Sequence, residues 1–97
     1  MGQTIEIRAA VRLEDVLVLD TDRSLTGQEG ESYGGSTTAQ AVDTDAARLA
    51  DRLFQSDPAI DHVFISSNTI SVRRRGGWDD GQVGTVQQVV SHFFRIY

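Results

Sequence analysis

Apolar and polar residues alternate through the first segment, Ile5-Glu6-Ile7-Arg8-Ala9, with the period of two that marks a half-buried strand. Asp15-Val16-Leu17-Val18-Leu19 is apolar at four successive positions and rich in β-branched side chains, which predicts a second and more buried strand. Asp, Thr, Ser and four glycines then crowd Asp20 to Gly35. That composition predicts a long turn region, with Tyr33 as the candidate anchor of a short edge strand.

The period changes at Asp43-Thr44-Asp45. Ala46, Leu49, Ala50 and Leu53 recur at helical spacing and share one face. Asp43 or Thr44 offers the capping oxygen, Asp45 suits the positive end of the dipole, and Phe54 closes the helix against the core. Arg48 and Arg52 share a neighbouring face and are expected in solvent. Pro58, the only proline, disfavours helical geometry at Asp57 and ends the element. His62-Val63-Phe64-Ile65 and Thr69-Ile70-Ser71-Val72-Arg73 then read as two strands of a tight hairpin. Asn68 at the turn tolerates left-handed geometry, and Ile70 and Val72 face the core while Ser71 and Arg73 face water.

Gly76-Gly77 breaks the second strand. Asp79 followed by Gln82 is a capping-box pattern, and Trp78 can staple onto Val83. Val83, Val86, Val90 and Phe93 form the buried stripe of this last helix, widened by Val89 and Phe94. Gly81 and Gly84 weaken its first turns by roughly 1 kcal/mol each. The order is β-β-(β)-α-β-β-α: an α+β single domain over residues 1–97. An antiparallel sheet of about four to five strands with two helices on one face is its simplest closure.

The chain has no cysteine, which excludes disulfides, zinc–thiolate sites, thiol nucleophiles and thiolate ligation of an iron–sulfur cluster. Fourteen carboxylates stand against nine basic residues, every one of them arginine. That balance opposes nucleic acid as the main partner, because phosphate affinity comes largely from neutralising cations. The lysine-free, aspartate-rich composition fits GC-rich coding first and a salt-rich cytoplasm second. Met1-Gly2-Gln3-Thr4-Ile5-Glu6 lacks the apolar core of a signal peptide, and Glu6 argues against myristoylation at Gly2. No run approaches the length of a membrane span. The expected location is cytoplasmic.

Asp20-x-Asp22-x-Ser24 with Glu31 at the twelfth position matches part of a calcium-loop spacing. Leu25, however, stands where that loop needs glycine, and a solvated loop is the better reading. His62 and His92 are the only imidazoles, and neither has an i+4 His or Cys partner. An enzyme reading would use one of them with a nearby carboxylate. No serine lies in a Gly-x-Ser-x-Gly elbow, and the glycines at 27, 30, 34 and 35 lack the Lys-Ser/Thr of a phosphate loop. Asp79 and Asp80 are explained by the helix start. No catalytic, cofactor or metal site is expected. Arg73-Arg74-Arg75 is the one concentrated charge, beside Trp78: either an anion or acidic-partner contact, or an edge strand kept soluble by charge.

Leu49-Ala50-Asp51-Arg52-Leu53-Phe54, Ala59-Ile60-Asp61-His62-Val63-Phe64-Ile65, Asn68-Thr69-Ile70-Ser71-Val72-Arg73 and Trp78 opening an amphipathic helix together resemble the amino-terminal domain of Nfu/NifU-type iron–sulfur scaffold proteins. The likeness covers Ala46 to Phe94. It departs from the family at Ala59, where glycine is usual, and at Val11-Arg12-Leu13-Glu14-Asp15, which lacks the family's prolines. The cluster-binding Cys-x-x-Cys belongs to a separate domain missing here. The resemblance therefore implies an accessory that docks a protein partner, an iron–sulfur scaffold or recipient apoprotein, and carries no cluster itself. The expectation is a non-catalytic interaction module, monomer or weak dimer, contacting its partner through Arg73, Arg74, Arg75 and Trp78 on the hairpin edge. The alternatives are a small enzyme using His62 or His92 and a nucleic-acid adaptor using the Arg73–Arg75 run.

Overall fold

The computed structural model describes residues 6–22, 30–35 and 44–93. Strand β1 (Ile7–Leu13) turns into β2 (Val16–Thr21), and β3 (Glu31–Tyr33) precedes helix α1 (Asp45–Ser56). The hairpin of β4 (Ile60–Ser66) and β5 (Thr69–Arg74) leads to helix α2 (Asp80–Ser91). The five strands form one antiparallel sheet in the order β1-β2-β5-β4-β3. This is the α+β architecture predicted, with the short third strand at Tyr33 present. Phe94, Ser24, Leu25 and Asp43 lie outside the described residues.

Two apolar rows cross the sheet beneath the helices. Leu17 pairs with Val72 and Val72 with Val63, while Leu19 pairs with Ile70 and Ile70 with Ile65. All six are fully buried. Cross-strand partners share a face, so the period of two within each strand becomes a continuous apolar surface across three of them. Tyr33 extends the first row from β3, its hydroxyl bonded to Glu31. Burial first, and then that carboxylate, push the phenol up to about 12.

Against these rows α1 lays Ala46, Leu49, Ala50 and Leu53, all fully buried, with Ala47 and Phe54 beside them. Thr44 is the cap: its Oγ1 accepts from Ala47 N at 3.1 Å. Arg52 departs from expectation. Its guanidinium lies 5.6 Å from the centroid of the buried Phe93 ring and roofs the core where the helices meet. The helix stops at Asp57, which is extended ahead of Pro58 (φ −155°). Helix α2 carries the full capping box, Asp79 Oδ1 accepting from Gln82 N and Gln82 Oε1 from Asp79 N. Val83, Val86, Val90 and Phe93 are buried, and Trp78 and Val89 pack on the same core.

The β4–β5 turn corrects a residue role. The positive φ belongs to Ser67 (54°), not Asn68. Asn68 works as a clasp instead: its Nδ2 donates to Thr21 O, its carbonyl accepts from Thr21 N and Oγ1, and β2 is thereby locked to the hairpin. Gly30 is needed ahead of β3. Its φ is +77°, and a Cβ there would sit 2.9 Å from Ile65 O.

Candidate functional site: an uncovered sheet face beside an arginine turn

The residues between the buried positions define the second face of the sheet, and no described helix covers it. One row runs Val11, Val18, Ser71, Phe64, Ser32; the next runs Leu13, Val16, Arg73, His62. Leu13 is 59% exposed, Val11 50% and Phe64 38%. A hollow of about 270 Å³ lies on this face, lined by Val16, His62, Phe64, Ser71 and Arg73. Its lining is mostly apolar and includes a guanidinium and an imidazole. Such a surface suits an apolar side chain accompanied by an acidic one.

The structure separates the members of the arginine run. β5 is the central strand, so these residues do not guard an edge, and the edge-protection reading is overturned. Arg73 points onto the open face, half-exposed, its Nε 2.7 Å from Asp61 Oδ1. That hydrogen bond, backed by charge, holds the Asp61 carboxyl below its usual range and raises the Arg73 guanidinium. Arg74 turns inward: Nε donates to Asp57 Oδ2 at 2.6 Å, and Nη1 to the carbonyls of Arg75 and Gly77 at 3.1 Å each. Burial alone would raise Asp57, but the bond from Arg74, the bond from Ala59 N and the Arg74 charge outweigh it, and its carboxyl falls below the ordinary range. Arg75 ties back to Pro58 O through Nη2 at 3.0 Å. Gly76 and Gly77, with φ of +89° and +82°, form the turn whose carbonyl Arg74 satisfies. Trp78 donates from Nε1 to Asp15 O at 3.0 Å and is half-buried on the core. Arg74 and Trp78 thus brace the fold, while Arg73 and Arg75 remain presented.

The two histidines are on opposite sides of the molecule. His92 caps α2 beside an inter-helix hollow of about 410 Å³ that also touches Arg52, Gln55 and Val89. His62 lies on the open face with Nε2 2.8 Å from Ser32 Oγ. The neighbouring Asp61 turns to Arg73 and does not orient the imidazole. Carboxylates of the calcium-like spacing are engaged separately: Asp20 by Thr69, Asp22 by Glu6 N, Glu31 by Thr44 and Tyr33. No group of three metal-ligating side chains gathers among the described residues. Asp79 caps α2, and Asp80 pairs with Arg12. No described helix is long and apolar enough to cross a membrane.

Sequence reasoning brought Arg73 to the site but missed Phe64, Val16 and Val18. The signal was present. Val63-Phe64-Ile65 and Val16-Leu17-Val18-Leu19 are unbroken apolar runs, and helices covering one face leave every second member of such a run on the other.

The chain matches no family model and no curated protein. Among solved structures it is similar to the crystal structure of protein SAV1430 from Staphylococcus aureus, with a TM-score of 0.64 at 14% sequence identity. The match covers 87% of this chain and 96% of that one. The fold is shared. At that identity the likeness concerns architecture alone, and the surface of SAV1430 carries nothing over to Arg73 or Phe64.

Proposed function

We propose that this chain is a non-catalytic, cytoplasmic protein-interaction module whose partner docks on the open face of the sheet, with Arg73 as its charged anchor. The observation that carries the reading is the exposure of Val11, Leu13 and Phe64 on a face no described helix covers. Apolar side chains ringed by a few charges are the composition of recognition surfaces. Arg73 and His62 favour a partner segment that pairs an apolar residue with a carboxylate. The resemblance to the Nfu amino-terminal domain adds the biological setting: an iron–sulfur scaffold or recipient apoprotein. Arg75, exposed in the turn after β5, ties back to Pro58 O, and Arg74 and Trp78 brace that turn.

Titration of labelled protein with a purified iron–sulfur scaffold tests this reading through amide shifts. Movement confined to the open face, at Val11, Leu13, Val16, Phe64, Ser71 and Arg73, is expected, abolished by Phe64→Ser and by Arg73→Glu. Binding that leaves those amides still, or no binding to scaffold or recipient apoproteins, would remove the assignment.

A further inference from the structure

Backbone direction along β1 follows from its neighbours. Thr21 N donates to Asn68 O and Arg74 N to Asp15 O, each at 2.9 Å. Alternation then turns the backbone groups of Leu17, Leu19 and Thr21 toward β5, and those of Val16, Val18 and Asp20 toward β1. Their partners in β1 are Leu13, Val11 and Ala9. Ala10 and Arg12 consequently direct their N–H and C=O groups to the outer side of β1. Among the described residues, that side is the edge of the sheet. The strand is seven residues long, contains no proline and displays the two most exposed large apolar side chains among the described residues, Val11 and Leu13. An edge of this kind is a template for another strand.

We propose that β1 pairs antiparallel with β1 of a second copy, with the two-fold axis at Val11. The direction of the outward groups requires the axis to pass at a residue, never between two. Placed at Ala10, it would oppose Arg8 to Arg12 of the second copy, twice by symmetry, so that like charges face one another. Placed at Ala9, it would meet the ladder irregularity between Ile7 and Ala9. At Val11 the requirements agree. Ala10 and Arg12 exchange both backbone bonds with their counterparts, twice by symmetry. Val11 faces its own copy, Leu13 faces Ala9 on the same side of the sheet, and Arg8 comes to the end of the second copy's strand, where Glu14 stands in the turn (φ 59°). The two sheets become one, and the apolar stripe of the open face runs across the axis.

The absence of cysteine gives a clean test of this register. Val11→Cys meets its own copy in a non-hydrogen-bonded pair, whose Cα separation of about 4.5 Å is within disulfide reach. It is expected to cross-link rapidly under mild oxidation, whereas Leu13→Cys, opposite Ala9, stays uncoupled. Sedimentation equilibrium is expected to show a reversible dimer of the unmodified chain. Arg8→Glu should weaken it about tenfold, and Arg8→Glu/Glu14→Arg should restore it. These side chains are exposed, and a circular dichroism spectrum matching the parent verifies the fold of each variant. A monomer persisting at millimolar concentration, equal cross-linking of the two cysteine variants, or tighter association of Arg8→Glu would each overturn the proposal. None of these outcomes involves a scaffold protein, so self-pairing and partner docking are judged separately.

Discussion

Arg73 and Arg74 differ by one step along a strand, and that step carries the guanidinium from open surface to a half-buried turn. The Arg73–Asp61 pair has side chains 51% and 31% exposed, against 17% and 18% for Arg74–Asp57. An exposed pair is screened by solvent and contributes little, whereas Arg74 also satisfies two carbonyls and leaves a confined carboxylate behind when removed. Arg74→Ala is therefore expected to cost about 2 kcal/mol or more in urea unfolding, and Arg73→Ala clearly less. Equal losses would mean that the inward contacts of Arg74 carry no weight. Acid sensitivity has the same origin. The folded carboxyl of Asp57 lies below its ordinary value, so the unfolded chain binds the proton first. Its contribution is complete above the unfolded value, near pH 4, and disappears as pH falls through the folded one. Asp57→Asn should lower stability at neutral pH and flatten its decline below about pH 4. An unchanged acid limb in that variant would assign the decline to other carboxylates.

Helix α2 shows how local signals set an element despite weak intrinsic propensity. Gly81 and Gly84 lie inside it, so the reciprocal bonds of Asp79 and Gln82 bear more of its initiation than a cap usually does. Asp79→Ala is expected to cost about 1 kcal/mol and to speed amide hydrogen exchange through the first turn of α2. Unaltered exchange there would show the box to be idle. Helices were legible because their determinants are adjacent in sequence: Asp79 and Gln82, Thr44 and Ala47, and the spacing of Leu49 and Leu53. Strands were legible as strands, but their order was not. Nothing near Arg73 in sequence says that β5 lies between β2 and β4. That order depends on pairs such as Leu17 with Val72, more than fifty residues apart, and on the clasp of Thr21 and Asn68. Burial was misread at β1 for a related reason. Its alternation predicts a half-buried strand, yet an edge position leaves all but Ile7 exposed.

For the molecule as a whole, the acidic balance and the placement of the core bear on the same question. Fourteen carboxylates and nine arginines leave a net charge of −5, a self-repulsion that salt relieves. Of the described ion pairs, Arg12–Asp80 and Arg73–Asp61 lie at the surface, and Arg74–Asp57 is half-buried at the turn after β5. The interior rows from Leu17 and Leu19 to Val63 and Ile65 contain no charge and are sealed by Leu49, Leu53, Val86 and Val90. Such a core does not depend on bound salt. The folded state is expected to persist in dilute buffer, with added sodium chloride raising the melting temperature by only a few degrees, the size of a change of about 1 kcal/mol or less. Thermal unfolding followed by circular dichroism, from dilute buffer to molar salt, measures this directly. Collapse of the helical signal on dialysis into low salt would reverse the conclusion: the aspartate-rich, lysine-free surface would then be an adaptation to a salt-rich cytoplasm, and the core alone would be too small to hold the fold.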